Sequence, residues 1–123
     1  MTVDLRHPDP DVLEAMDAAF RDVAASLEPT PVVDQIWYSP PIVFDADIVD
    51  AIRRGAVATG HTPVDITSGA GHDACYISQV APTGMVFIPC ADGLSHNEAE
   101  AIERDHAIAG AEVTLRAVVD LAS

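Results

Sequence analysis

The chain has 123 residues, of which 49% are hydrophobic, so it is long enough for one packed core, and no apolar run approaches the roughly 18 residues that a membrane span needs. Its net charge is −14, because 20 acidic residues face six arginines and no lysine. This charge would repel a phosphate backbone, so we expect no nucleic-acid partner. The first residues lack the basic, apolar pattern of a secretory signal, and we expect a cytoplasmic protein without membrane contact.

Residues 1–40 predict the order β-α-β. Thr2 to Arg6 alternates like a short strand, and Asp9 followed by Pro10 is typical of a helix start. The helix then carries apolar residues at 3-4-3-4 spacing: Leu13, Met16, Phe20, Val23 and Leu27. Val32 to Tyr38 is rich in β-forming residues and predicts a second strand. The prolines of Ser39-Pro40-Pro41 indicate a stiff hinge, so we predict a domain boundary near residue 40.

The remaining residues, 41–123, predict the order α-β-α-β-α. A helix capped by Asp45 and ended by Gly60 comes first, and Asn97 with Glu100 forms a capping-box-like pair before the closing helix. Between them we predict strands at 64–67 and 85–89 and a short helix at 73–80. Alternating strands and helices favour a parallel α/β layer packed between helices.

Two polar loops follow the predicted strands. They read SGAGHDA at 68–74 and GLSHNEAE at 93–100. Ligands of open α/β sheets bind beyond the carboxyl ends of the strands, so we expect the loops to share one crevice. Gly69 and Gly71 can adopt positive φ and would leave backbone amides open to a carboxylate or carbonyl oxygen. The first loop does not match the nucleotide-binding patterns.

Four side chains are candidates for a site, and each has an ordinary alternative. A neutral imidazole at His72 or His96 could bind a metal or donate to a substrate oxygen, or either ring could be a solvated loop histidine. Asp73 could orient a neighbouring ring or cap its helix. The guanidinium of Arg6 could bind a carboxylate in a bidentate way, or it could pair with Asp4 or Asp9.

Five segments in order resemble one enzyme family. They are DLRHPD, SPP-x-x-FD, SGAGHDA, PTGMVFIP and GLSHNEAE, and they are similar to the C-terminal part of the N-carbamoyl-L-amino-acid hydrolases, allantoate amidohydrolases and β-ureidopropionases. The resemblance implies an α/β fold in which residues 41–123 form the C-terminal return of a metallo-amidohydrolase catalytic domain. Residues 1–40 would then be the closing β-α-β of a ferredoxin-like lid that also dimerises.

The resemblance also implies an activity. These enzymes hydrolyse non-peptide C–N bonds of small, linear carbamoyl or ureido compounds, using two divalent ions that activate a water molecule. We expect zinc, with manganese and cobalt as alternatives, and a homodimer formed through the lid.

Site residues carry over position by position. His96 matches a metal ligand, Gly71 and His72 match a loop that contacts the substrate, and Arg6 matches the lid arginine that binds the substrate carboxylate. The other ligands and the general base match no residue here. The resemblance therefore implies that this chain has no catalytic base and needs the N-terminal portion of the enzyme. The alternatives are a non-catalytic dimerisation or interaction module and a non-functional gene fragment.

Overall fold

The computed structural model describes all residues 1–123, and its regular elements are all helical. They are α1 (Pro10–Ala25), α2 (Ala46–Ala58), α3 (Asp73–Ile77), a 3-10 turn (Ala91–Gly93) and α4 (Arg104–Leu121). The chain divides into two compact units, one formed by residues 1–43 with 67–71 and the other by 44–66 with 72–123. No helix combines the length and the apolar character that crossing a membrane requires.

Helix α1 of the first unit begins as the sequence predicts. The Asp9 carboxylate accepts hydrogen bonds from the amides of Asp11 at 2.9 Å and Val12 at 3.4 Å, and Pro10 occupies the first helical position. The helix ends at Ala25, where the Ser26 hydroxyl donates to the carbonyl of Val23 at 2.7 Å and closes the last turn. Among its residues only Ala24 is buried.

The second unit is organised by the packing of α2 against α4. The prediction of α2 is confirmed: Asp45 caps it, and Gly60 follows it with φ +83°. Its buried residues are small, as are those of α4: Ala51, Gly55, Ala56, Val113 and Ala117. A Cβ at Gly55 would lie 2.8 Å from the carbonyl oxygen of Val113, so the close approach of the two backbones depends on this glycine.

The four predicted strands are absent, so the predicted α/β fold is not confirmed for this chain. Residues 2–6, 32–38, 64–67 and 85–89 contain no strand, because none of them forms a backbone ladder with another segment. Side chains that the β pattern assigned to a core are consequently exposed, with Ile36 at 80% and Val64 at 78%. The ferredoxin-like arrangement that the resemblance implies for residues 1–40 is not formed either.

The predicted start of the closing helix is also wrong. Asn97 and Glu100 close a single turn, in which the Glu100 amide donates to the Asn97 carbonyl at 2.9 Å, and α4 begins only at Arg104. The carbonyl of Ala101 accepts the amide of Ala91 at 2.8 Å. Residues 101–103 are not helical, and they separate this turn from α4.

The packing leaves much of the apolar content exposed. The accessible surface is 9479 Å² for 13.0 kDa. A compact monomer of this mass exposes about 6,300 Å², and two separate domains of half the mass would expose about 7,700 Å² in total. Five hydrophobic residues are buried, and all except Val113 are alanines.

We expect the isolated chain to self-associate, because many large apolar side chains are exposed and such surface favours association. Sedimentation velocity should detect species larger than a 13.0 kDa monomer, increasing with protein concentration. A monodisperse monomer with a cooperative thermal transition would contradict this expectation.

An exposed ion pair attaches the segment after α2 to that helix. The Arg53 guanidinium donates to the Asp65 carboxylate, with an Nε to Oδ1 distance of 3.0 Å. These hydrogen bonds hold the pKa of Asp65 below its usual value of 3.8, and they also raise the pKa of Arg53.

We predict an NMR titration midpoint for Asp65 below 3.8, and an upward shift in Arg53→Gln. Since the folded pKa is lowered, the small contribution to stability is fully present above the unfolded value and is lost as the pH falls through the folded value. An unchanged midpoint in the variant would show that Arg53 does not set this pKa.

Candidate functional site

The first polar loop is open around its glycines. The Ala70 amide donates to the Ser68 hydroxyl at 3.1 Å, which makes a local turn. Neither Gly69 nor Gly71 has positive φ, contrary to the use that the sequence suggested for them. A Cβ at either glycine would meet no atom within 4 Å. The backbone at Gly71 therefore has space beside it, and its predicted contact with substrate stays a prediction.

His72 is the N-cap residue of α3 and belongs to the second unit. Its backbone is extended, with φ −135°, and its side chain is half-buried. The ring meets the ring of Phe87 edge to face, with centroids 5.6 Å apart. Asp73 is the first residue of α3 and not its N-cap, so the expected capping by this carboxylate does not occur.

His96 lies in the second polar loop with an unusual backbone conformation. Its φ is +56°, a left-handed value that is uncommon for residues other than glycine. Its side chain is exposed, and its ring centroid lies 6.1 Å from that of His72, with the planes inclined by 66°. The structure thus brings these two imidazoles side by side, although 23 residues separate them in the sequence.

A network of local hydrogen bonds forms the loop that carries His96. The Glu100 carboxylate accepts the His96 amide at 3.0 Å, and the Asn97 side chain accepts the Ala99 amide at 2.9 Å. The base of the loop is closed by the bond from Ala91 to Ala101. These contacts define the direction in which the loop presents His96.

Arg6 belongs to the first unit, where it pairs with Asp4. The Arg6 Nη2 lies 2.5 Å from the Asp4 Oδ2, and its Nη1 donates to the carbonyl of Gly69. The hydrogen bond from Arg6 lowers the pKa of Asp4, and that from Asp4 raises the pKa of Arg6. The pairing with Asp4 is the alternative that the sequence left open for Arg6, and carboxylate binding stays a prediction.

The side chains of this chain do not fit a dinuclear metal centre by themselves. Nowhere do three or more His, Cys, Asp or Glu side chains come together in a group that could hold an ion. Two metal ions need at least three protein ligands each or shared carboxylates between them. The two imidazoles offer nitrogen donors only, so His96 can supply one ligand of such a centre but cannot form it.

Residues 7–120 match the peptidase family M20/M25/M40, and they make up most of the chain. The chain belongs to this family. Its relatives with known names include N-carbamoyl-L-amino-acid amidohydrolase of Rhizobium meliloti, which is 42% identical over 125 residues covering 98% of this chain and 30% of that protein. Allantoate amidohydrolase of Bacillus subtilis is 29% identical over 124 residues, covering 98% of this chain and 29% of that protein. The family resemblance that the five sequence segments indicate is confirmed.

Solved structures of the same family have a closely similar conformation. A hydantoinase/carbamoylase family amidase from Burkholderia multivorans matches with a TM-score of 0.87 and 50% identity, over 94% of this chain and 29% of that chain. Two N-carbamoyl-L-amino-acid amidohydrolases match this chain over nearly all of its residues. The chain spans only about 30% of the length of each of these relatives.

Two contacts at the site are absent from the sequence prediction. The edge contact of Phe87 with His72 joins residues 15 apart, and no spacing rule signals it. The bond from the His96 amide to Glu100 spans four residues, and its signal is the capping-box-like spacing. We predicted from this spacing that Asn97 and Glu100 start the closing helix. In the structure the Glu100 carboxylate accepts the backbone amide of His96 instead.

Proposed function

We propose that this chain is the C-terminal segment of a metal-dependent hydrolase that acts on non-peptide C–N bonds of linear carbamoyl or ureido compounds. The substrates would be N-carbamoyl-L-amino acids, ureidopropionate or allantoate. The chain would be active only together with the N-terminal portion of such an enzyme. The observation that carries the proposal is the pairing of the His72 and His96 rings at 6.1 Å on two loops, within a chain 42% identical to an N-carbamoyl-L-amino-acid amidohydrolase.

Each site residue has a role in this proposal. His96 supplies one ligand to an ion whose other ligands come from the N-terminal portion, and zinc is the metal we favour, with manganese or cobalt as alternatives. His72, half-buried against Phe87, donates a hydrogen bond to a substrate oxygen, and the open backbone at Gly71 lies against the substrate. The general base belongs to the N-terminal portion.

Arg6 would bind the substrate carboxylate. Its guanidinium is exposed, and a bidentate carboxylate is the ligand that its geometry suits best. A substrate carboxylate would replace the existing partner, Asp4, or share the guanidinium with it. In this proposal residues 1–40 belong to a lid through which the complete enzyme dimerises.

The exposed surface supports the proposal that this chain is one part of a larger enzyme. Segments such as 64–67 and 85–89 would pair with strands of the N-terminal portion, and the α/β fold would form only then. The apolar cleft between α2 and α4 also lies open, with a volume of about 220 Å³ and a lining that includes Ile48, Val86 and Leu121. Both features would be covered in the complete enzyme.

A chimera tests this function directly. The 123 residues replace the corresponding 30% of the Rhizobium meliloti relative, and the chimera is assayed with an N-carbamoyl-L-amino acid, with ureidopropionate and with allantoate. We expect metal-dependent hydrolysis of at least one of the three. Arg6→Gln should raise KM for substrates that carry the carboxylate, because it removes the charge that binds them.

Two outcomes would count against the proposal. A chimera that is folded and monodisperse but hydrolyses none of the three compounds would reject it. The isolated chain could form a stable dimer with the intact relative while the chimera stays inactive. That combination would favour the alternative of a non-catalytic interaction module.

A further inference from the structure

We infer that Glu100 is a positioning residue that fixes His96 against His72. The importance of this role for catalysis rests on the proposed function of His96, but the geometry itself does not. The Glu100 Oε2 lies 3.0 Å from the His96 amide nitrogen and accepts its proton. This carboxylate therefore contacts the backbone of the residue whose side chain is presented to the second imidazole.

The conformation of His96 needs such a contact. Its φ of +56° brings Cβ close to the backbone carbonyl oxygen, so an unconstrained histidine would spend most of its time at negative φ. The side chain is exposed and is not enclosed by a packed core. Local hydrogen bonds must hold the left-handed value, and the bond to Glu100 is the one made by the His96 amide.

The arrangement around Glu100 is suited to this task. Its own amide donates to the Asn97 carbonyl at 2.9 Å, so the turn from 97 to 100 returns the glutamate side chain toward His96. The Ala91 to Ala101 bond closes the loop immediately after it. A change of φ at His96 would rotate its Cα–Cβ bond and separate the two rings, which now lie 6.1 Å apart.

Glu98 provides a matched control in the same loop. It carries the same charge two residues from Glu100, it is exposed, and it makes no hydrogen bond or ion pair. Any general effect of shortening a glutamate in this loop should appear for both residues. An effect of contact with the His96 amide should appear for Glu100 only.

The test distinguishes the effect of the length of the Glu100 side chain from the effect of its charge. Glu100→Asp keeps the charge but shortens the side chain by one methylene, so its carboxylate no longer reaches the His96 amide. Glu100→Gln loses the charge but keeps an oxygen at the same distance. The full chain, labelled at its five histidines, is compared by NMR for the contact between the His72 and His96 rings. Deuterium exchange of the peptide 94–101 is followed by mass spectrometry, which also works on self-associated protein.

We expect Glu100→Asp to lose the ring contact and to exchange at least about tenfold faster, while Glu100→Gln and Glu98→Asp resemble the unmodified chain. In the active chimera, Glu100→Asp should lower kcat about tenfold or more, whereas Glu100→Gln should retain most of the kcat of the unmodified chimera. Retention of the contact and slow exchange in Glu100→Asp would overturn the inference, as would an equal effect of Glu98→Asp. The ring contact and the exchange are measured without substrate, so an inactive chimera would reject the proposed function and leave this result unaffected.

Discussion

Gly55→Val should destabilise the second unit by about 2–3 kcal/mol, because the added side chain has no space between α2 and α4. A Cβ at this position would lie 2.8 Å from the carbonyl oxygen of Val113 and 3.3 Å from the Cβ of Arg116. The first contact is with backbone and cannot be relieved by a side-chain rotation, so the two helices would have to separate. Helix propensity predicts the opposite sign, since valine is a better helix former than glycine.

Chemical denaturation of the chimera, followed by far-UV circular dichroism, measures this effect. Ala58→Val introduces the same side chain at an exposed position of the same helix, and its cost should stay below about 1 kcal/mol. If Gly55→Val were neutral or stabilising relative to Ala58→Val, the close packing of α2 and α4 would not determine the stability of this unit.

His96→Ala should reduce hydrolysis by the chimera about a thousandfold, if His96 is the metal ligand that we propose. A bound ion contributes several kcal/mol to stabilising the transition state, and about 4 kcal/mol corresponds to a thousandfold change in rate. The variant should also retain less metal after dialysis, because one ligand of the centre is lost. Thermal stability without metal should change little, since the side chain is exposed.

The matched control is His61→Ala, which removes an exposed histidine of the same unit that is not part of the site. Its activity and metal content should stay within about twofold of the unmodified chimera. Activity of His96→Ala that stays within tenfold would remove His96 from the metal site. Equal losses in both variants would indicate general damage to the fold.

Helices with their own start and stop signals could be predicted well from the sequence. The caps at Asp9 and Asp45 and the stop at Gly60 act within a few residues, and the structure uses all three. The start of α4 could not be predicted in this way. The spacing of Asn97 and Glu100 is a genuine capping signal, but in the structure it closes one turn, and residues 101–103 after it are not helical.

The strand predictions failed for a different physical reason. The β pattern in residues 32–38 and 64–67 records which side chains suit a sheet, but a strand forms only when a neighbour completes its hydrogen bonds. In this structure the segments form no strand ladder, and most of their apolar side chains are exposed. The pattern therefore describes a preference that tertiary contacts have to satisfy.

The sequence by itself determined the family, the caps of α1 and α2, and the two loops that carry His72 and His96, because these depend on residue types at short spacing. Tertiary structure alone decided that the two imidazoles lie side by side, that α2 approaches α4 at Gly55, and that Arg6 pairs with Asp4 and Gly69. The contact between the rings and the approach of the helices join residues far apart in the chain. Their formation depends on how whole elements pack, which no local pattern specifies.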